Sequence, residues 1–454
     1  MNIDTSIFKA YDIRGIYPKN LNEEIAENIG RAFSKILQNE IKNKKLNIVV
    51  GCDMRNSSLP LKERLILGLT KSGVNVVDVG LVTTPTFYFS VGYFDYDGGI
   101  QVSASHNPKE YNGFKIVKAK AYPMGGDTGI YAIRDMLVND SYDVLNLQGE
   151  VITKENVTND AVTIQSKGIN KDKIKSLKIV VDTGNGMGAL DIDAIFRDLH
   201  CELIKLNFAL DGNFPVHVPD PLKEENLAWV KEEVVRAKAD LGIATDGDGD
   251  RWFFVDEKGE TVPQPIFRGL MSQIELKDNP GATVCYDIRP GRITREMIES
   301  AGGKAVVTKV GHSLIKKQML EIDAIFGGES SGHFYYKLPY GTFEAPIVFV
   351  LKFLEFISEQ NKKVSEIVAP FKKYFHSGEI NSEVSDKEGK MKAVEDKYSD
   401  GAISKLDGIT IEYDDYWFNI RPSNTESLLR FQVEAKTEDL MKQKRDEILK
   451  LIRS

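Results

Sequence analysis

Cysteine is scarce. Three residues in 454, Cys52, Cys201 and Cys285, lie far apart and form no Cys-x-x-Cys pair, which excludes a disulfide framework and the common zinc spacings. Free thiols in a reducing compartment are expected. Basic charge is not in excess either. The 59 lysines and arginines face 67 acids for a net charge of −8, and no basic run is interleaved with aromatics, so bulk nucleic-acid binding is not expected. Long apolar runs are missing. The most apolar stretch, residues 347 to 357, is interrupted by Lys352 and Glu355 and is too short to span a bilayer. Pro346 in front of it predicts the first turn of a buried helix instead. The first residues show neither a basic n-region nor an apolar h-region. These absences predict a cytoplasmic protein with no nucleic-acid and no membrane partner.

What is present is ordinary in amount and unusual in arrangement. Charged residues at 28% and hydrophobic residues at 42% fit a globular chain long enough for roughly three domains. Ile25, Ile29, Phe33 and Ile36 recur at helical spacing and predict a helix over 23–38. Leu46-Asn-Ile-Val-Val50 reads as a buried parallel strand ending in the polar loop Gly51-Cys-Asp-Met-Arg55. Helix and strand alternate through residue 105, around Lys178-Ile-Val-Val-Asp182, and again through Thr283-Val-Cys-Tyr286 and Ala305-Val-Val307. This is an α/β pattern of mixed or parallel sheets. Near residues 374–378 it changes to short strands with two helices, a smaller α+β module whose last helix starts at the N-cap Thr437. The expected domains are 1–150, 151–255, 256–370 and 371–454. No internal repeat is evident.

Two stretches carry chemistry. Gly99-Ile-Gln-Val-Ser-Ala-Ser-His-Asn-Pro108 leaves a strand end on a tight polar loop, where open α/β sheets bind ligands. A turn is expected at Asn112-Gly113, folding Lys115 back toward Ser105. Asp246-Gly-Asp-Gly-Asp-Arg251 places carboxylates at i, i+2 and i+4. At about 4 Å and an effective dielectric near 20, each like-charged pair costs roughly 4 kcal/mol, which a hard dication removes. An EF-hand is excluded because Arg251 stands where that loop needs glycine and the flanks read as strands. The reading is that Ser105 is a nucleophile carrying a phosphoryl group and, as phosphoserine, a fourth Mg²⁺ ligand beside Asp246, Asp248 and Asp250. Lys115 and Arg251 neutralise the transferring oxygens. His106, next in sequence to the nucleophile and outside any Gly-x-Ser-x-Gly elbow, orients the phosphate.

Other stretches support or rival this. Gly184-Asn-Gly-Met-Gly-Ala189 follows a strand and matches the dinucleotide fingerprint, which raises a dehydrogenase as a rival; a tight strand-to-helix turn explains it as well. Gly327-Gly-Glu-Ser-Ser-Gly-His333 offers a carboxylate and hydroxyls suited to a sugar. Arg421-Pro-Ser-Asn-Thr425, with Arg430 beyond, offers a guanidinium fork, hydroxyls and an amide: a phosphate clamp in which Arg421, Ser423, Asn424, Thr425 and Arg430 grip the non-reacting phosphate.

Ser103-Ala-Ser-His-Asn-Pro108, Asp246-Gly-Asp-Gly-Asp-Arg251, Gly328-Glu-Ser-Ser-Gly-His333 and Arg421-Pro-Ser-Asn-Thr425 resemble, in order, the four signature loops of the α-D-phosphohexomutase superfamily, nearest its phosphomannomutase/phosphoglucomutase branch. The resemblance implies three related α/β domains and a smaller fourth around a central cleft. It implies that Tyr11 and Arg14 line the site, that Glu329 and Ser331 bind the sugar's O3 and O4, and that His312 assists proton transfer. Arg289 stands where many relatives have lysine, and Ser330 where methionine or glutamine is common. The expected activity is transfer of a phosphoryl group between C1 and C6 of glucose and mannose phosphates, with Mg²⁺ and glucose 1,6-bisphosphate as activator, by a monomer or weak homodimer. A phosphoglucosamine mutase is the alternative within the same enzyme class, and a catalytically dead sugar-phosphate binder the alternative that is not an enzyme.

Overall fold

A computed structural model describes residues 3–142, 148–289, 291–423 and 428–454. The chain divides into two compact units, Met1–Val262 with Ser331–Ile367, and Pro263–Ser330 with Val368–Ser454.

In the first unit, strands Ile13–Ile16, Tyr111–Lys118, Gly98–Val102, Asn47–Cys52, Asn75–Leu81 and Val151–Thr153 lie side by side in that order. The last four run parallel, and Tyr111–Lys118 is antiparallel to both its neighbours. Helices Glu23–Glu40, Ser58–Lys71 and Thr84–Tyr93 make the crossovers. Ile25, Ile29, Phe33 and Ile36 are buried on the first of these, which Asn22 caps by accepting the Ile25 amide at 3.0 Å. The second sheet orders Trp252–Asp256, Leu241–Thr245, Lys178–Asp182 and Glu202–Leu206. Helix Gly188–Phe196 follows its Lys178–Asp182 strand. The antiparallel pair Phe334–Leu338 and Gly341–Glu344 and the helix Pro346–Gln360 complete the unit. Pro346 opens that helix, and the Phe349 ring meets Trp252, Phe254 and Phe334 in the core.

In the second unit, strands Lys304–Thr308, Thr283–Asp287 and Phe326–Gly328 are parallel, with helices Gln264–Asp278, Arg292–Ser300 and His312–Glu321. An antiparallel sheet of Phe375–His376, Leu428–Ala435, Tyr416–Pro422, Ile409–Glu412 and Ala402–Ser404 carries helices Lys387–Lys397 and Glu438–Arg453. Thr437 caps the latter by accepting the Leu440 amide at 3.3 Å. The α/β class with a smaller C-terminal α+β part is therefore as expected from the sequence.

One local expectation fails. Asn112-Gly113 is not a turn but lies inside the strand Tyr111–Lys118. Gly113 is there for close approach: a Cβ would sit 2.2 Å from the Ile13 carbonyl oxygen, where the first strand pairs alongside. The chain reverses earlier, over residues 103–110, and Lys115 projects from a central strand.

Candidate active site

Ser105 sits on the loop between the strands Gly98–Val102 and Tyr111–Lys118. Its φ is +49°, a left-handed conformation costing a non-glycine residue roughly 1 kcal/mol or more. The residue is 3% exposed. Its hydroxyl donates to Asp246 Oδ2 at 2.6 Å and lies 3.2 Å from His106 Nδ1. Burial, followed by the nearby Arg251 and Arg14, drives His106 well below the usual histidine range, so its ring is neutral at pH 7. Arg14 donates to Asn107 Oδ1 at 2.5 Å and pairs with Asp12, which ties the first strand to the serine loop. Tyr11 is half-buried on the turn before that strand.

The acidic loop joins strands Leu241–Thr245 and Trp252–Asp256. Asp246 Oδ1 accepts the amides of Gly249, Asp250 and Arg251 at 3.1, 3.1 and 3.2 Å, so this carboxylate folds its own loop and offers its second oxygen to Ser105. Gly247 and Gly249 have distinct reasons to be glycine. A Cβ at 247 would lie 2.4 Å from the Ser105 carbonyl oxygen, and Gly249 has φ +77°. Asp248 Oδ2 accepts from Thr84 Oγ1 at 2.5 Å and from Lys115 Nζ at 2.6 Å. Lys115 also donates to Asp250 Oδ2 at 2.5 Å, and His333 Nε2 is 3.2 Å from Asp250 Oδ1. Arg251 reaches toward Asp246 at 3.9 Å and toward His333 at 3.5 Å.

Electrostatics separate the three carboxyls. Burial and the charges of Asp250 and Asp248 push Asp246 well above the usual carboxylate range. Burial opposes ionisation of Asp250 too, yet Lys115 and His333 hold it well below that range. Lys115 is raised well above its ordinary value by Asp248 and Asp250 despite its burial. All three aspartates are buried, with ligand atoms within 4.8 Å of one another, and among the described residues Asp248 Oδ1 has no hydrogen-bond partner. This set of hard oxygen donors fits a Mg²⁺ ion.

The glycine-rich turn after Lys178–Asp182 serves this loop. The Met187 amide donates to the Gly247 carbonyl at 2.9 Å, and a Cβ at 188 would meet Thr245 Oγ1 at 2.2 Å. The fingerprint glycines thus let two loops pack, which is the plain strand-to-helix turn and not a dinucleotide cradle. Nearby, Asp191 on helix Gly188–Phe196 is fully buried and accepts from Thr83 at 2.9 Å and from Thr86 at 3.2 Å. Burial pushes its carboxyl up to about 7.

Ser331 belongs to this first unit, its Oγ 2.9 Å from His333 Nδ1. Glu329 and Arg289 belong to the second. There Glu329 Oε1 accepts the Gly311 amide at 2.9 Å, immediately before His312, the first residue of its helix. Arg289 Nη2 lies 3.6 Å from Glu329 Oε1 and Nε 2.5 Å from Asp287 Oδ2, while Arg268 pairs with the other Asp287 oxygen. The serine at 330 donates its amide to the same Asp287 at 3.2 Å. Further along this unit, Arg421 and Arg430 are cross-strand partners, and Glu379 binds both, at 2.5 and 3.2 Å. Ser423 is buried beside them in sequence; Asn424 and Thr425 lie outside the described residues. Arg421 and Arg430 stand on the strands Tyr416–Pro422 and Leu428–Ala435.

Some residues at these sites escaped the sequence reading. His333 lay in plain view in the Gly-Glu-Ser-Ser-Gly-His motif, two residues past Ser331. Asp287 had a signal, an aspartate at a strand end two residues before Arg289. Thr84 and Glu379 had none, since threonine before proline reads as a cap and Glu379 as a surface acid.

Four family descriptions match in series: Phosphoglucomutase/phosphomannomutase alpha/beta/alpha domain I over residues 5–141, domain II over 157–259, domain III over 268–374 and the C-terminal domain over 379–451. A phosphomannomutase of Methanocaldococcus jannaschii is 39% identical over 99% of this chain and 98% of its own. One from Escherichia coli K12 is 38% identical over 94% of each chain. A phosphoglucomutase/phosphomannomutase family protein of Burkholderia thailandensis has a solved structure similar at a TM-score of 0.91, with 32% identity over 99% of this chain and 98% of that one. The chain is a phosphohexomutase-class enzyme and belongs to the phosphoglucomutase/phosphomannomutase family.

Proposed function

We propose that the chain interconverts the 1- and 6-phosphates of mannose and glucose through a phosphoserine at Ser105 and a hexose 1,6-bisphosphate. The observation that carries this is a buried, left-handed serine whose hydroxyl lies 2.6 Å from an aspartate of a buried three-carboxylate loop. Phospho-Ser105 gives its phosphoryl group to the free O6 or O1 hydroxyl of the substrate: the Ser105 Oγ–P bond breaks, the sugar O–P bond forms, and the hydroxyl's proton ends on the released Ser105 Oγ. The bisphosphate turns over and returns its other phosphoryl to Ser105. Asp246, Asp248 and Asp250, with the phosphoserine, would hold Mg²⁺, which would supply neutralisation of charge on the transferring group.

Lys115 and Arg251 balance the transferring oxygens, and His106, neutral, orients the phosphate. Tyr11 and Arg14 shape the serine side of the site. Glu329 and Ser331 read O3 and O4, Arg289, 3.6 Å from Glu329, binds the substrate beside it, and His312 assists proton transfer. Arg421, Ser423 and Arg430, with Asn424 and Thr425, take the non-reacting phosphate. Glucose and mannose differ only at C2, so a site reading O3, O4 and phosphate accepts both. Relatives named phosphomannomutase support the mannose assignment. The division at residues 150, 255 and 370 into four domains is part of the same proposal. Among the described residues no helix is long and apolar enough to cross a membrane.

The test is turnover of glucose 1-phosphate, mannose 1-phosphate and glucosamine 1-phosphate with Mg²⁺ and a trace of glucose 1,6-bisphosphate, for wild type and Ser105→Ala. Comparable rates on the first two, lost in the variant, are expected. Activity on glucosamine 1-phosphate alone overturns the substrate assignment, and an active Ser105→Ala overturns the phosphoserine route.

A further inference from the structure

Arg55 ends the polar loop that follows the strand Asn47–Cys52, and no role has been given to it above. Its side chain is 0% exposed. A guanidinium has five N–H donors in a rigid plane, and burying one without partners is costly. Here the donors go almost entirely to one loop. Nη2 donates to the carbonyls of Ser105 at 2.7 Å and Asn107 at 2.6 Å, and Nη1 to those of Pro108 at 2.8 Å and Tyr111 at 3.1 Å. Nε donates to Asp53 at 3.2 Å. Asp53 is itself fixed, accepting the Arg55 amide at 3.0 Å and the Ser58 hydroxyl at 2.5 Å.

The four carbonyls belong to the segment that turns the chain from one central strand into the next. That turn requires Ser105 to be left-handed, at φ +49°, and gives its side chain the direction of Asp246. The Ser105 carbonyl accepts from Arg55 Nη2 and packs against Gly247, where a Cβ would not fit. The segment that follows strand Glu202–Leu206 of the acidic loop's sheet also packs against the arginine. The Phe214 ring lies 4.9 Å from the guanidinium, Asn56 Nδ2 donates to Asn213 Oδ1 at 3.1 Å, and a Cβ at 212 would meet the Arg55 backbone at 2.7 Å.

We propose that Arg55 is a positioning residue for the nucleophile: by binding the Ser105, Asn107, Pro108 and Tyr111 carbonyls it fixes the left-handed serine and so aims Oγ at the transferring phosphoryl group. This rests on Ser105 being the phosphoryl carrier. Lysine keeps the charge but not the planar fork, and cannot serve four diverging carbonyls. A misplaced nucleophile lowers the rate of the chemical step and leaves the sugar and its remote phosphate bound as before.

The experiment compares wild type, Arg55→Lys and Phe214→Leu. It reads kcat and KM for glucose 1-phosphate, the rate at which Ser105 takes up phosphate from glucose 1,6-bisphosphate, and the melting temperature. For Arg55→Lys, kcat is expected to fall about 100-fold with KM within about twofold, and phosphate uptake to slow by the same factor in the folded fraction. Arg55→Ala with added guanidinium ion is expected to recover part of the rate. Unchanged kcat in Arg55→Lys overturns the proposal, as does a raised KM at unchanged kcat or a loss matching only the unfolded fraction. If Arg55→Lys does not fold, Phe214→Leu decides: a several-fold lower kcat at unchanged KM supports the proposal, and wild-type kcat overturns it. Full turnover by Ser105→Ala would instead remove the serine assignment on which the proposal rests.

Discussion

The acidic loop of the first unit and the arginine pair of the second solve opposite electrostatic problems. Asp246, Asp248 and Asp250 are buried like charges, relieved by one ammonium that bridges two of them. Arg421, buried, and Arg430, partly exposed, are like charges on paired strands, relieved by one carboxylate that bridges both. Depth decides how much each arrangement matters. Inside, water cannot screen, and the three carboxyls are split into a raised Asp246 and a lowered Asp250. At the sheet surface, Arg430 is 30% exposed and Glu379 28%, so the pair is cushioned by solvent and easily re-partnered. The first region suits chemistry and the second suits exchange of an anion.

That contrast can be broken or sharpened in order of effect. Ser105→Ala is expected to lower turnover of glucose 1-phosphate by on the order of 10³-fold or more, because no nearby group replaces the nucleophile. Asp248→Asn removes one charge from the buried loop and is expected to raise the Mg²⁺ concentration for half-maximal activity by about 10- to 100-fold, read from a metal titration after chelation. Arg421→Ala deletes a charge-assisted grip worth about 1.5–3 kcal/mol, so KM should rise roughly 10- to 100-fold while kcat changes less. Arg430→Ala, the more exposed partner, is expected to cost only about two- to fivefold in KM. Equal losses from the two arginines would mean that depth does not grade the clamp.

The last prediction concerns stability rather than turnover. Asp191 titrates near 7 in the folded chain and at about 4 when unfolded, so the folded state holds the extra proton between those values. Stability from this group therefore falls as pH rises through that window, by on the order of 4 kcal/mol, and is level above it. Asp191→Asn removes the fall but loses one acceptor for Thr83 or Thr86. Relative to wild type, its melting temperature should be a few degrees more favourable at pH 8 than at pH 5, as read by calorimetry. A constant difference would show that Asp191 stays ionised.

Much of this was legible in the chain. Ile25, Ile29, Phe33 and Ile36 announced their helix because helical spacing is local, and the strand before Asp246 was readable for the same reason. The serine and aspartate loops were legible because their residue types are costly without a purpose. What failed was Asn112-Gly113, where a turn signal was overruled by pairing with a distant strand at Ile13. Arg55 was invisible for a related reason: its partners are backbone carbonyls some fifty positions away, and carbonyls carry no residue identity. Glu379 escaped because its two arginines meet it only once the antiparallel sheet forms.

The strand Tyr111–Lys118 has one more consequence. It carries Gly113 and Lys115, and its Gly113 carbonyl accepts the Ser103 amide at 3.0 Å, so the serine loop is slung between two central strands. The Ser105 amide is bonded to the Ser103 hydroxyl within that loop at 3.0 Å. Many functional loops belong to the first segments to open in native-state hydrogen exchange. This one is tied to the last. The Ser103 and Ser105 amides should give up their hydrogens only when the sheet opens, so the nucleophile holds its place for as long as the first unit is folded.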